Sequence, residues 1–148
     1  MTASTDHVND PDWLLGPIPE LPGVRHTVLV TSDGLVKAHC SATNRELAER
    51  TAASVSGLQS LAKALAREYS SPAVPEDGAL VDARPGHQVI SITDGCIFLR
   101  PVKGSAVLAV VTGPEVDPGL IAQFMQEQVQ KVGAAMTSRA RTPVPEHG

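Results

Sequence analysis

The chain has 148 residues, a formal net charge of −4, and 42% hydrophobic, 19% charged and 3% aromatic side chains. This balance fits one soluble globular domain packed by Leu, Ile, Val and Ala, and it excludes a disordered polymer. It argues against a basic nucleic-acid surface, and no apolar run approaches a transmembrane segment, the longest being Ala106–Val111.

Residues 1–9 are polar and patternless, and residues 138–148 mix charge with proline. Both ends are expected to be flexible around a domain at 10–137. Asp10-Pro11 predicts a short helix carrying Trp13, Leu14 and Leu15, stopped by Gly16, Pro17 and Pro19. Val24 to Thr31 and Leu35 to Cys40 are β-rich runs joined by Asp33-Gly34, a pair suited to a two-residue hairpin loop. In that register His39 lies opposite Val28 and Cys40 opposite Thr27.

Thr43-x-x-Glu46 reads as a capping box opening a helix to Tyr69, about 40 Å long. Two apolar faces run along it. Leu47, Thr51, Ser54, Leu58, Leu61 and Leu65 form a stripe expected to pack on the sheet. Ala48, Ala52, Val55, Gln59, Ala62 and Ala66 form a second face, whose small side chains would let a partner helix approach. Pro72 and Pro75 end the helix, and residues 70–86 read as a loop with a short strand at 79–81.

Gln88 to Thr93 and Cys96 to Val102 flank Asp94-Gly95, and Ser105 to Thr112 follows Lys103-Gly104. Two-residue loops would set Ile92 against Ile97, Ile90 against Leu99, Leu99 against Leu108 and Ile97 against Val110, giving one continuous apolar face. The other face is moderately apolar, so the sheet requires cover on both sides. Asp117-Pro118 caps a last helix with Leu120, Ile121, Phe124, Met125, Val132 and Met136 at near-helical spacing. The expected class is α+β, a five-stranded antiparallel sheet between helices in the order α-β-β-α-β-β-β-α.

Catalytic patterns are sparse. His39 and Cys40 are strand neighbours whose side chains point to opposite faces. A thiol reaction centre would therefore need His26 or His87 to serve Cys40 or Cys96. The histidines and cysteines lack metal-ligand spacing, and no phosphate-cradling glycine loop is present. Glu46 and Glu49 read as solvated helix charges. Neither an enzyme nor a cofactor is expected. Two cysteines, no N-x-S/T sequon and no charged-then-apolar leader point to a reducing cytoplasm.

The stretches "DWLLGPIPELPGVRHTVLVTSDGLVKAHC", "LAERTAASVSGLQSLAKAL" and "GLIAQFMQEQVQKVGAAM" resemble the opening, central helix and final helix of the roadblock/dynein light chain family, over about residues 10–137. The likeness is greatest to bacterial conservon roadblock proteins, encoded beside a sensor kinase and a Ras-like GTPase. The resemblance implies a profilin-like α/β/α sandwich that is non-catalytic and pairs with itself or a paralogue through residues 43–69 and 88–93. The interface implied comprises Ala48, Ala52, Val55, Gln59, Ala62 and Ala66 with Val89, Ser91 and Thr93. The strand at 88–93 contains no Lys or Pro to discourage edge pairing. The implied partner is a small Ras-like GTPase, with a sensor kinase complex beyond it. Arg25, Arg45, Arg84 and Arg100 are available as an arginine finger, and none is singled out. The alternative role is a small-ligand sensor module of similar shape.

Overall fold

The structure, a computed structural model, describes residues 10–69, 85–103 and 106–141, with side chains described as far as Met136. The expected strand at 79–81 lies outside the described residues. Helix α1 spans Pro11–Leu15, with the Asp10 carboxylate accepting from the Asp12 N–H as its cap. A single 3₁₀ turn, Ile18–Glu20, follows where the prolines interrupt. Strands β1 (Val24–Thr31) and β2 (Val36–His39) form the first hairpin. Helix α2 spans Arg45–Tyr69. Strands β3 (Gln88–Ile92), β4 (Gly95–Val102) and β5 (Ala106–Thr112) precede helix α3 (Pro118–Arg141). The last helix thus continues four residues past the expected boundary at 137. All strand pairings are antiparallel, and the strand order is β2-β1-β5-β4-β3.

The hairpins show how turn length sets the faces. In the first, Gly34 adopts a positive φ of 84°, and the Thr31 N–H donates to the Leu35 carbonyl around three loop residues rather than two. A bulge between Leu29 and Val30 absorbs the extra residue, so His39 still pairs with Val28 as expected. In the second, Ile92 pairs with Gly95 and Ile90 with Ile97. The turn is therefore Thr93-Asp94, two residues from the expected register, and both isoleucines keep their face. Gly95 is needed for another reason: a Cβ there would strike the Thr112 carbonyl on the neighbouring strand.

The third hairpin corrects the expected single apolar face. Val102 pairs with Ala106, which leaves three residues between them. Leu99 consequently pairs with Ala109 and Ile97 with Val111, while Leu108 and Val110 pair with Arg100 and Phe98. A one-residue change reverses every side chain. Leu108 and Val110 therefore join Phe98 beneath α1 and α3, with Leu14, Leu15, Ile18, Ile121, Met125 and Val132. Val28, Val30, Leu99, Val107 and Ala109 face α2 instead. Fully burying such a side chain contributes about 1.5–3 kcal/mol, so the two clusters together hold the layers.

Buried Gln128 joins α3 to α1. Its Nε2 donates to the carbonyls of Trp13 and Leu14 at 2.9 and 2.8 Å, the oxygens that a five-residue helix leaves without intrahelical partners. A buried acceptor left unmade costs about 1–3 kcal/mol. Gln128→Met keeps the volume and removes both donors, so urea unfolding should show a loss of about 2 kcal/mol. The exposed neighbour Gln126→Met should stay within about 0.5 kcal/mol of the parent; equal effects at the two positions would contradict the bridging role.

Candidate interaction surface

The packing of α2 begins at its first turn. Asn44, not Thr43, caps the helix: its Oδ1 accepts from the Leu47 N–H at 2.7 Å. The Thr43 hydroxyl is engaged elsewhere, 2.9 Å from His26 Nδ1 and 3.3 Å from Cys40 Sγ. Past the cap, the two expected faces are exchanged. Ala48 and Ala52 are fully buried against Val28, Val30 and Ala109, followed by Val55 and the nearly buried Gln59. Those four side chains are enclosed by the chain's own sheet and are not open to a partner; Ala62 and Ala66 are half-buried. Leu61 and Leu65, expected underneath, are 66% and 60% exposed, with Leu58 also exposed. The reason is distance: side chains of one carbon let the helix axis sit close to a sheet already filled with Val and Leu.

The stripe left outside is regular. Leu47, Thr51, Ser54, Leu58, Leu61 and Leu65 are spaced alternately by four and three residues, the 3.5-residue period of a helix-pairing seam. Its C-terminal half carries the leucines, and Tyr69 ends it at 81% exposure. The helix runs about 15 Å beyond Gln59, its last buried residue. Gly57 lies midway along this solvent side, and a Cβ there would meet nothing within 4 Å. A glycine inside a helix costs about 1 kcal/mol relative to alanine, and no contact among the described residues requires one here.

Strand β3 borders the same face of the molecule. It is one of the two edges of the sheet, bonded to β4 alone among the described strands, with β2 at the other edge. Gln59 Nε2 donates to Gln88 Oε1 at 3.2 Å and ties α2 to the start of this strand. Ile90 and Ile97 are half-buried on the α2 side, and Ile92 is exposed there. On the opposite side Val89 is 52% exposed and Ser91 is open. Thr93, expected within the strand, sits in the turn. The edge therefore offers unpaired backbone groups flanked by apolar side chains.

Other chemistry-bearing residues are dispersed. His26 and Cys40 meet only through the Thr43 hydroxyl, which closes the end of the β1–β2 hairpin onto the start of α2. His39 Nδ1 donates to the Cys40 carbonyl at 3.1 Å. Among the described residues no group of three His, Cys, Asp or Glu side chains could hold a metal ion, and no helix is long and apolar enough to cross a membrane. Arg45 pairs with Glu49 and Arg50 with Glu46, all on the exposed helix surface. Arg84 lies outside the described residues. Arg25 is exposed and lies over Gly113, while Arg100 is half-buried with its Nε enclosed.

Comparison with known proteins places this geometry. The model of the Roadblock/LC7 domain family matches residues 12–76, from α1 to just past α2. A Roadblock/LC7 domain from Streptomyces avermitilis superposes with a TM-score of 0.71 at 26% identity, over 86% of this chain and 98% of that one. Myxococcus xanthus MglB gives 0.72 at 13% identity, over 88% and 95%. An MglB described as having a tetrameric arrangement gives 0.71 at 16% identity, over 91% of each chain. The two MglB likenesses show the fold alone. No curated protein matches in sequence.

His87, just before β3, provides a probe of this edge. Its ring stacks on Phe98 with centroids 6.1 Å apart. Partial burial first, and the Arg100 charge second, hold its pKa below the ordinary 6.5. The fold favours the neutral ring, so the stability this group contributes is present above pH 6.5 and is lost as pH falls through the lowered value. An NMR titration should place the His87 midpoint below 6.5, and Arg100→Met should return it only part of the way because burial remains. A midpoint at or above 6.5 in the parent protein would contradict this environment.

Proposed function

From a chain with a Roadblock/LC7 domain in a roadblock-type sandwich, we propose a non-catalytic regulatory subunit. Two copies pair through α2 and β3, and the paired surface binds a small Ras-like GTPase in a bacterial cytoplasmic signalling complex. The observation that carries this reading is the exposed leucine stripe of α2 beside an unprotected sheet edge. Covering a leucine is worth about 1.5–3 kcal/mol, and each copy would cover Leu58, Leu61 and Leu65. Pairing of β3 with its mate would join two five-stranded sheets into one and satisfy both edges. The interface expected from the sequence shifts accordingly: the leucine stripe, half-buried Ala62 and Ala66, and Val89, Ser91 and Ile92 face the partner. The tetrameric arrangement named for one MglB supports self-association in this fold.

The GTPase reading rests on the family likeness. A preformed two-copy surface would act by binding one arrangement of the GTPase switch segments more tightly than the other, altering exchange or hydrolysis through that difference. No arginine is required for this. A paralogue could replace the second copy, and a sensor kinase complex could be recruited through the same assembly.

Light scattering tests the first step. The parent protein should be a dimer at tens of micromolar, whereas Leu61→Glu and Leu65→Glu should be folded monomers, because a charge inside an apolar seam must be desolvated. Retention of a cognate GTPase should require the dimer and differ between its GDP-bound and GTP-bound forms. A charged substitution that leaves the mass unchanged would remove this interface, and no retention in either nucleotide state would remove the GTPase role.

A further inference from the structure

Among the described residues, Arg100 is the charged side chain that keeps a buried donor without an acceptor: its Nε is enclosed and has no hydrogen-bond partner. It alternates with Phe98 and Val102 along β4, so its side chain leaves the sheet with theirs, on the α3 side. Leu108 pairs with it from β5. The surroundings are thus apolar, and the ion pairs among the described residues, Arg45–Glu49 and Arg50–Glu46, lie on α2 instead. An unmade donor is costly when buried, and more so on a charged group. The chain carries 16 acids against 12 bases, yet none of the described acids supplies the acceptor.

His87 stands beside it. Continuing the β3–β4 register outward from the Gln88–Leu99 pair sets His87 opposite Arg100. The imidazole is exposed and stacks on Phe98, so it forms a rim next to the half-buried arginine.

We propose that Arg100 and His87 form an anion site that takes one carboxylate group, held by the Nε–H and a neighbouring Nη–H of Arg100. Those two donors lie parallel along one edge of a guanidinium and match the two oxygens of a carboxylate. A torsional adjustment of the half-buried side chain presents them to solvent, and Nε gives up no partner in moving. Charge balance selects the class of ligand. One arginine neutralises a monoanion, whereas a phosphate dianion would leave a charge unpaired among apolar side chains. A bound carboxylate also offsets the Arg100 charge that helps keep His87 neutral, so the anion and a proton on His87 favour each other. The site does not depend on the pairing of two copies, because the leucine stripe of α2 is on the other side of the sheet. A free small acid and an acidic side chain of another polypeptide offer the same group.

NMR reads the site directly, with acetate as the probe. The Arg100 Nε–H and the His87 ring signals should shift and saturate together, and the His87 midpoint should rise by about 0.5 pH unit in saturating acetate. Chloride at equal ionic strength should not reproduce this. Arg100→Lys keeps the charge without the parallel donors and should weaken acetate binding roughly tenfold. In the absence of acetate, Arg100→Met should raise the thermal midpoint by about 3 °C, because it removes the unmade donor. A blocked tripeptide carrying one aspartate separates the sources: binding tighter than acetate assigns the site to a polypeptide side chain, and weaker binding assigns it to a free acid. No saturating shift with either probe, equal acetate binding by the parent and Arg100→Lys, or a lowered midpoint in Arg100→Met each overturns the site.

Discussion

The contact of Ala48 and Ala52 with the sheet is the constraint from which the remaining architecture follows. Both are fully buried, and both set α2 close to a layer of Val28, Val30, Leu99 and Ala109. At that separation there is no room for leucine on the inner side. The larger apolar residues of the helix are displaced to the solvent side, where they make a regular seam instead of a core. With Ala48, Ala52 and Val55 buried and Leu58, Leu61 and Leu65 exposed, the sheet supplies most of the bulk on this side of the core. The same arrangement makes the outer surface costly to leave in water, and this links the packing of one chain to its proposed assembly.

The two sheet faces differ in kind. Beneath α1 and α3, large side chains such as Phe98, Leu108, Ile121 and Met125 interlock, and the Gln128 amide closes the polar end of α1. That side is complete. Beneath α2, cover ends near Gln59, and β3 extends past it with Ile92 exposed. This side also borders β3, an edge strand bonded to β4 alone among the described residues. Helix seam and strand edge are thus adjacent, tied by the Gln59–Gln88 hydrogen bond, and a single partner can cover both.

Much of this fold is legible in the sequence. The Asp10-Pro11 start follows from capping chemistry; α2 runs to Tyr69 as expected, though Asn44 and not Thr43 caps it, and His39 pairs with Val28 as expected only because a bulge offsets a loop one residue longer than the two-residue turn. The element order and the family likeness follow from those pieces taken together. Two features were not legible, for physical reasons. An extra residue between Val102 and Ala106 reverses the faces of Leu108 and Val110, and nothing in Lys103-Gly104 announces it. The choice between the two apolar faces of α2 depends on helix-to-sheet distance, a property of the assembled layers that residue hydrophobicity alone misorders.

Amide hydrogen exchange across a dilution series probes the central idea, that the leucine side of α2 and the β3 edge are covered by another molecule of the same chain. With concentration, protection should grow at Leu58–Tyr69 and Gln88–Ile92 while the amides of β1 and β5, deep in the sheet, stay constant. Protection that is independent of concentration in both segments, in protein whose sheet core is intact, would show that those surfaces face only water.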